Sequence, residues 1–164
     1  MAYLNAYTKS YFYLKRIFDI ALSIFFLIVL SPVVIFLFIL IFVFEGGKFI
    51  HWSKRVGINN NIFLMPKIRT MQLSTPDVAT HLLKKEDIYI TKIGKILRKT
   101  SLDEIPQFLN VIKMEMSIIG PRPIVKKEIQ KYGKSYNKVI SIKPGITGLW
   151  QVSGRNNLSY KRRV

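Results

Sequence analysis

The chain has 164 residues and a net charge of +17, from 26 Lys and Arg against 9 Asp and Glu. That length accommodates one domain and a membrane segment but not two cores. The absence of cysteine excludes a disulfide framework, a thiolate metal site and a thiol nucleophile, while the positive balance points to anionic lipid headgroups or phosphate-rich substrates.

Residues 1–18 set Tyr3, Tyr7, Tyr11, Phe12, Tyr13 and Phe18 among basic residues, a composition suited to the membrane interface. From Ile20 to Phe44 there is no charge, and Ser31-Pro32 lies near the middle. About 20 apolar residues suffice to cross a hydrocarbon core roughly 30 Å thick. Pro32 complicates a straight crossing, because it donates no N–H and its ring crowds the carbonyl of Ile28; the Ser31 hydroxyl can repair part of that loss. Basic residues flank the run on both sides, Lys9, Lys15 and Arg16 before it and Lys48, Lys54 and Arg55 after it. Since cytoplasmic flanks carry the excess of Lys and Arg, the expectation is a re-entrant helix-break-helix over residues 1–47, broken at Ser31-Pro32, with a Pro-kinked single span as the alternative. The run is too long for a cleaved signal sequence.

Gly46-Gly47 ends the membrane segment. Lys48–Trp52 reads as a short strand, Lys54–Asn61 as a turn, and Ile62–Met71 as an extended segment that Pro66 confines to an edge strand or a loop. Residues 72–79 are a loop. Residues 80–99 predict two short helices, the second over Thr91–Lys99. Leu102, Ile105, Leu109, Ile112 and Met116 recur at spacings of three and four, predicting a helix that Gly120-Pro121-Arg122-Pro123 ends. Residues 124–137 predict a further amphipathic helix, and the segment from Lys143 to Arg155 is turn-rich. The fold class expected is mostly α with short β segments, a monotopic membrane protein whose residues 48–164 form a small cytoplasmic α/β domain.

Asp103 and Glu104 stand out as adjacent acids in a chain with few of them. Ser101-x-x-Glu104 matches a capping box, and an acid in a first turn suits the helix dipole. Pro106 weakens that purely structural account, since it would fall where an N–H is already needed; a helix beginning near Pro106 would leave both acids just outside its positive end, where anions bind well. Among the basic residues, Lys67 and Arg69 flank Ile68 and would point the same way on extended backbone. Arg122 is held between two prolines, and Arg155 follows Ser153-Gly154, where backbone can approach a ligand closely. A guanidinium grips phosphate through two parallel N–H bonds, although single surface charges are more often simply solvated. His51 and His81 lack metal-ligand spacing and read as structural. No aromatic-basic motif for nucleic acid is present.

Taken in order, the basic-apolar N-terminus, the apolar run with Ser31-Pro32, PKIRTM, RKTSLDEIPQFLNVIKMEMSIIGPRP and KPGITGLWQVSGR resemble the bacterial sugar transferases known as monotopic polyprenyl-phosphate phosphoglycosyl transferases. The resemblance covers about residues 13–160. It implies transfer of a sugar-1-phosphate from a UDP-sugar to undecaprenyl phosphate, starting surface-glycan assembly at the cytoplasmic face of the bacterial inner membrane. It implies Asp103 as the nucleophile that forms an aspartyl phospho-sugar, and Asp103 and Glu104 as the site for Mg²⁺. Lys67, Arg69, Arg98, Arg122 and Arg155 are then phosphate or nucleotide-sugar ligands. Anionic lipids are expected partners, and a homo-oligomer is left open.

Two departures qualify the likeness. Ser53 stands where the family often has glutamine ahead of Arg55-x-Gly57, and the family usually continues for tens of residues beyond the Gly-Arg motif. The chain therefore reads as short at its C-terminus, and the alternative function is a non-catalytic membrane-bound scaffold of the same family.

Overall fold

The computed structural model describes residues 2–75 and 88–153. Its N-terminal element is a single helix, α1 (Ala2–Glu45), with Pro32 inside it. The break expected at Ser31-Pro32 is not a gap in the helix; the Ser31 hydroxyl donates to the carbonyl of Ile28 at 2.8 Å, beside the bond that proline cannot make. By length and composition, the stretch Ser10–Glu45 is apolar enough to cross a membrane, and little of it is buried.

Two exposed apolar faces of α1 flank a narrow contact stripe. Ile17, Phe25, Ile28, Phe36, Ile39 and Val43 are open, whereas Asp19, Ser23, Leu37 and Ile41 are buried. The stripe changes character along its length. Before Pro32 it is polar: Lys15 bonds Asp19 at 2.8 Å, the Ser117 hydroxyl donates to Asp19 at 2.7 Å, and Arg16 donates to the carbonyls of Met116 and Val111. Phe26 then stacks on Phe108 with ring centres 5.4 Å apart. Beyond Pro32 it is apolar, with Leu37 and Ile41 in one core cluster with Ile68 and Leu97. Each such fully buried branched side chain contributes about 2 kcal/mol.

After Gly47 the chain forms an antiparallel hairpin of β1 (Ile50–Val56) and β2 (Ile62–Ile68). The first strand extends past the expected Trp52 because the turn is tighter than its composition suggests: Asn59 and Asn60 take left-handed backbone, which Asn tolerates better than most residues, and Gly57 N–H bonds Asn61 O at 2.8 Å. Pro66 is accommodated opposite Trp52, since each strand of a two-stranded sheet has a free edge.

The helix α2 (Lys92–Thr100) begins where expected, capped by Thr91, whose hydroxyl accepts from Gly94 N–H at 2.8 Å. Gly94 is required there: a Cβ would lie 2.1 Å from the carbonyl oxygen of Thr70. The long helix expected from Leu102 to Met116 is replaced by a 3-10 segment, Leu102–Gln107, followed by the short α3 (Phe108–Ile112). Pro106 denies the donor an α-helix would need, and Met114 takes positive φ, which turns the chain into β3 (Ser117–Ile119). The expected helix over 124–137 is likewise divided, into α4 (Ile129–Tyr132) and α5 (Tyr136–Ile140), with Gly133 at φ +48° between them. The segment β4 (Gly145–Thr147) then pairs parallel with β3, and α6 (Leu149–Val152) follows.

Candidate active site

The site is built where the hairpin meets the 3-10 segment. Residues paired directly across an antiparallel hairpin share a face, so His51, Ser53 and Arg55 lie on the same face as Lys67, Met65 and Phe63. Phe63 and Met65 pack with Val111 and Met116, which fixes that face toward α3. Lys67, one step on, is thereby aimed at the two acids.

Asp103 is 7% exposed. The Lys67 ammonium lies 3.8 Å from its carboxylate and 2.6 Å from that of Glu104. Burial pushes the Asp103 pKa up; Lys67 opposes this, Glu104 reinforces it, and Arg98 and the backbone N–H oppose it more weakly. Ser101 does not act as the cap of a capping box. It has left-handed backbone and makes no side-chain cap bond, and Glu104 turns to Lys67 instead. The two acids are thus committed to a polar cluster rather than to a helix start.

Arg98 is the guanidinium whose charge acts on Asp103, and local structure places it. The contact of Gly94 with Thr70 brings α2 against the end of β2, and Arg98 Nε donates to Thr70 Oγ1 at 3.0 Å. Arg69 goes elsewhere. Strand β2 ends at Ile68, and the Arg69 guanidinium donates to Gly46 O at 2.5 Å and lies 3.6 Å from Glu45, holding the C-terminal end of α1. Arg122 is half-buried on the segment after β3, close enough to Arg55 to lower its pKa. Arg155 and His81 lie outside the described residues; His51 is exposed on β1. The cluster therefore unites Lys67, Arg98, Asp103 and Glu104, with Arg122 and Arg55 to one side. Arg55 is the member that spacing did not single out, although its place two steps along the Lys67 face was available once the hairpin register was known.

Among the described residues no group of three or more His, Cys, Asp and Glu side chains gathers. Two adjacent carboxylates do fit Mg²⁺, which is commonly held by one or two carboxylates and completes its shell with water and substrate phosphate.

A ribbon and a 3-10 turn thus present paired acids among cations, beside a helix long and apolar enough to cross a membrane. The chain belongs to the bacterial sugar transferase family, whose model matches residues 10–164. It is 42% identical to an uncharacterised sugar transferase of Haemophilus influenzae over 92% of this chain and 35% of that protein. It is 41% identical to the undecaprenyl-phosphate galactose phosphotransferase of Salmonella typhimurium, over 98% of this chain and 37% of the relative. With the exopolysaccharide production protein ExoY of Sinorhizobium fredii it shares 39% identity, over 92% and 73% respectively. The chain thus spans about a third of the length of the first two relatives.

Proposed function

We propose that the protein is a phosphoglycosyl transferase that moves a sugar-1-phosphate from a UDP-sugar to undecaprenyl phosphate, the first step in building a surface glycan. The observation that carries this reading is the buried Asp103, adjacent to Glu104 and faced by Lys67. A carboxylate is a competent covalent nucleophile. An Asp103 oxygen attacks the phosphorus attached to the sugar, the bond from that phosphorus to the bridging oxygen breaks, and UMP leaves. An oxygen of undecaprenyl phosphate then attacks the same phosphorus. The Asp103–phosphorus bond breaks, giving the lipid diphosphate sugar and a free carboxylate.

Burial removes water that would blunt the Asp103 nucleophile and hydrolyse its acyl phosphate. Lys67 and Arg98 oppose the rise in Asp103 pKa, keeping the carboxylate available in ionised form. Glu104, held by Lys67, is placed to share Mg²⁺ with Asp103. Bound there, Mg²⁺ would neutralise the diphosphate that otherwise repels the nucleophile. Arg122 is positioned for the transferred or leaving phosphate, and Arg155 keeps that role from the family resemblance. Arg69 belongs to the end of α1 instead.

The chain sits on the cytoplasmic face of the bacterial inner membrane, with α1 entering one leaflet and returning by a bend at Ser31-Pro32. Support comes from the contact stripe of α1, since Phe26 and Val33, on either side of Ser31-Pro32, both pack on the same domain and only about 10 Å of helix separates them at 1.5 Å per residue. A crossing needs about 30 Å. Exposed Lys92, Lys95 and Lys99 on α2 suit anionic headgroups.

Protein supplied with UDP-sugars, undecaprenyl phosphate and Mg²⁺ is expected to release UMP, and Asp103→Asn to abolish that release. Full activity in the variant overturns the nucleophile assignment. Tags before Tyr11 and after Gly47 are expected to be equally protected from the periplasm, and labelling of one alone would mean a single span.

A further inference from the structure

Arg55 is half-buried on the inner face of the hairpin, where a solvated charge would not be placed without reason. Its hydrogen bonds are few and long: Nε donates to Ser53 Oγ at 3.3 Å and Nη1 to Pro123 O at 3.4 Å, against a usual length near 2.9 Å. Next to it, Val56 N–H bonds Ile124 O at 2.9 Å. Strand β1 thereby carries the segment Pro121-Arg122-Pro123 alongside it. Two guanidiniums, one from the hairpin and one from that segment, are thereby brought into each other's neighbourhood.

We infer that Arg55 is a further phosphate-binding residue of this site, forming with Arg122 a two-guanidinium seat for a substrate phosphate beside Glu104 and Asp103. Like charges held together in a partly buried place cost free energy; Glu128 offsets part of that cost for Arg55, and a bridging anion would offset more. The titration of Arg55 agrees with this placement. Its pKa falls to about 10, first through burial and then through Arg122, with Glu128 and Glu104 opposing the fall. The hairpin also links the seat to the acid pair, because Arg55 shares its face with Lys67, whose ammonium lies 2.6 Å from Glu104. A phosphoryl oxygen matches the fork of either guanidinium, and Pro121 and Pro123 limit how far Arg122 can swing away. The purely structural alternative is that Arg55 only staples the Pro121–Pro123 segment to β1 through Pro123 O.

The shared chemistry is a phosphate group, which can arrive on the nucleotide sugar or on the lipid carrier. The seat rests on the phosphoglycosyl transferase reading for its substrates, but its test by binding does not require turnover. Binding of UDP to the full chain is measured by calorimetry for the wild type, Arg55→Gln and Arg55→Lys, alongside KM for UDP-sugar and for undecaprenyl phosphate. Loss of charge-assisted bonds predicts UDP binding about tenfold weaker in Arg55→Gln, with Tm within about 2 °C of wild type. Arg55→Lys is expected to recover only part of the binding, because an ammonium cannot serve Pro123 O and a phosphate with one fork. A rise in KM for undecaprenyl phosphate with UDP binding unchanged also supports the seat and assigns it to the lipid phosphate. Unchanged binding and unchanged KM values overturn it. So does a fall in Tm that Arg55→Lys repairs together with all binding and kinetics, which would leave only the staple. If Arg55→Gln does not fold, Arg55→Lys decides alone: wild-type binding and both KM values at wild-type level overturn the seat, and weakened UDP binding or a raised KM supports it. If the wild type binds UDP yet releases no UMP, the transferase reading fails, and UDP binding by Arg55→Gln and Arg55→Lys still decides the seat: weakened binding supports it and unchanged binding overturns it.

Discussion

Two buried aspartates, each near a lysine, have opposite fates in this fold. Asp19 on α1 is 4% exposed, takes Lys15 at 2.8 Å and is bonded again by the Ser117 hydroxyl at 2.7 Å. Asp103 is 7% exposed, yet its lysine stands off at 3.8 Å and gives its short contact, 2.6 Å, to Glu104. The first carboxylate takes both of these bonds on Oδ2 and ties α1 to β3. The second makes no comparably short bond to its lysine, which suits the nucleophile role proposed for it. Burial and a nearby lysine do not separate a structural carboxylate from a reactive one; the number and length of the bonds that consume its oxygens do.

The largest test of this contrast is Asp103→Asn, expected to lower UMP release by at least about 10⁴-fold while leaving Tm unchanged or higher, because the buried charge it removes is poorly compensated. A fall in Tm would make Asp103 structural like Asp19. Next in size, Lys67→Met should cost roughly 10²-fold in turnover and move the acid limb of kcat/KM to higher pH, since Lys67 is the strongest group holding the Asp103 pKa down. An acid limb that stays put would show that Lys67 acts on substrate alone. Asp19→Ala should lower stability by about 2 kcal/mol in chemical denaturation, a figure discounted because the Lys15 side chain is 32% exposed; turnover per folded molecule should hold. Last comes pH. The native state keeps the Asp103 proton to higher pH than the unfolded chain, so this group contributes a loss of stability as pH rises from the ordinary aspartate range through its raised native pKa. Asp103→Asn should flatten that part of the profile.

Much of the scaffold was legible because it is written locally. The uncharged run from Ile20, the start of α2 near Thr91 and the Asn-rich turn each declare themselves within a few residues. The break at Pro106 was visible as a difficulty, but the periodicity of Leu102 to Met116 still suggested one helix; the pairing of β3 with β4 that ends it joins Ser117 to Gly145 and leaves no local trace. The same limit applies in the site. Alternation sends Lys67 and Arg69 to one side only while the backbone stays a strand, and β2 ends between them. Arg55 became meaningful only through the hairpin register and its bond to Pro123 O, contacts that span 68 positions of chain.

The two faces of that hairpin do unlike jobs: Lys67 meets the acids, while Ile50 and Ile68 pack toward Leu37 and Ile41. Because strand side chains alternate with period two, parity becomes a design constraint. One residue inserted into β2 between Phe63 and Lys67 would rotate the ammonium toward α1 and offer an aliphatic side chain to the carboxylates. Two inserted residues would preserve the facing and alter only reach. Loop grafts at Gly57–Asn61 must therefore keep the downstream pairing register, and they would also disturb the bond from the Tyr136 hydroxyl to Asn60 Oδ1 that ties this tip to α5.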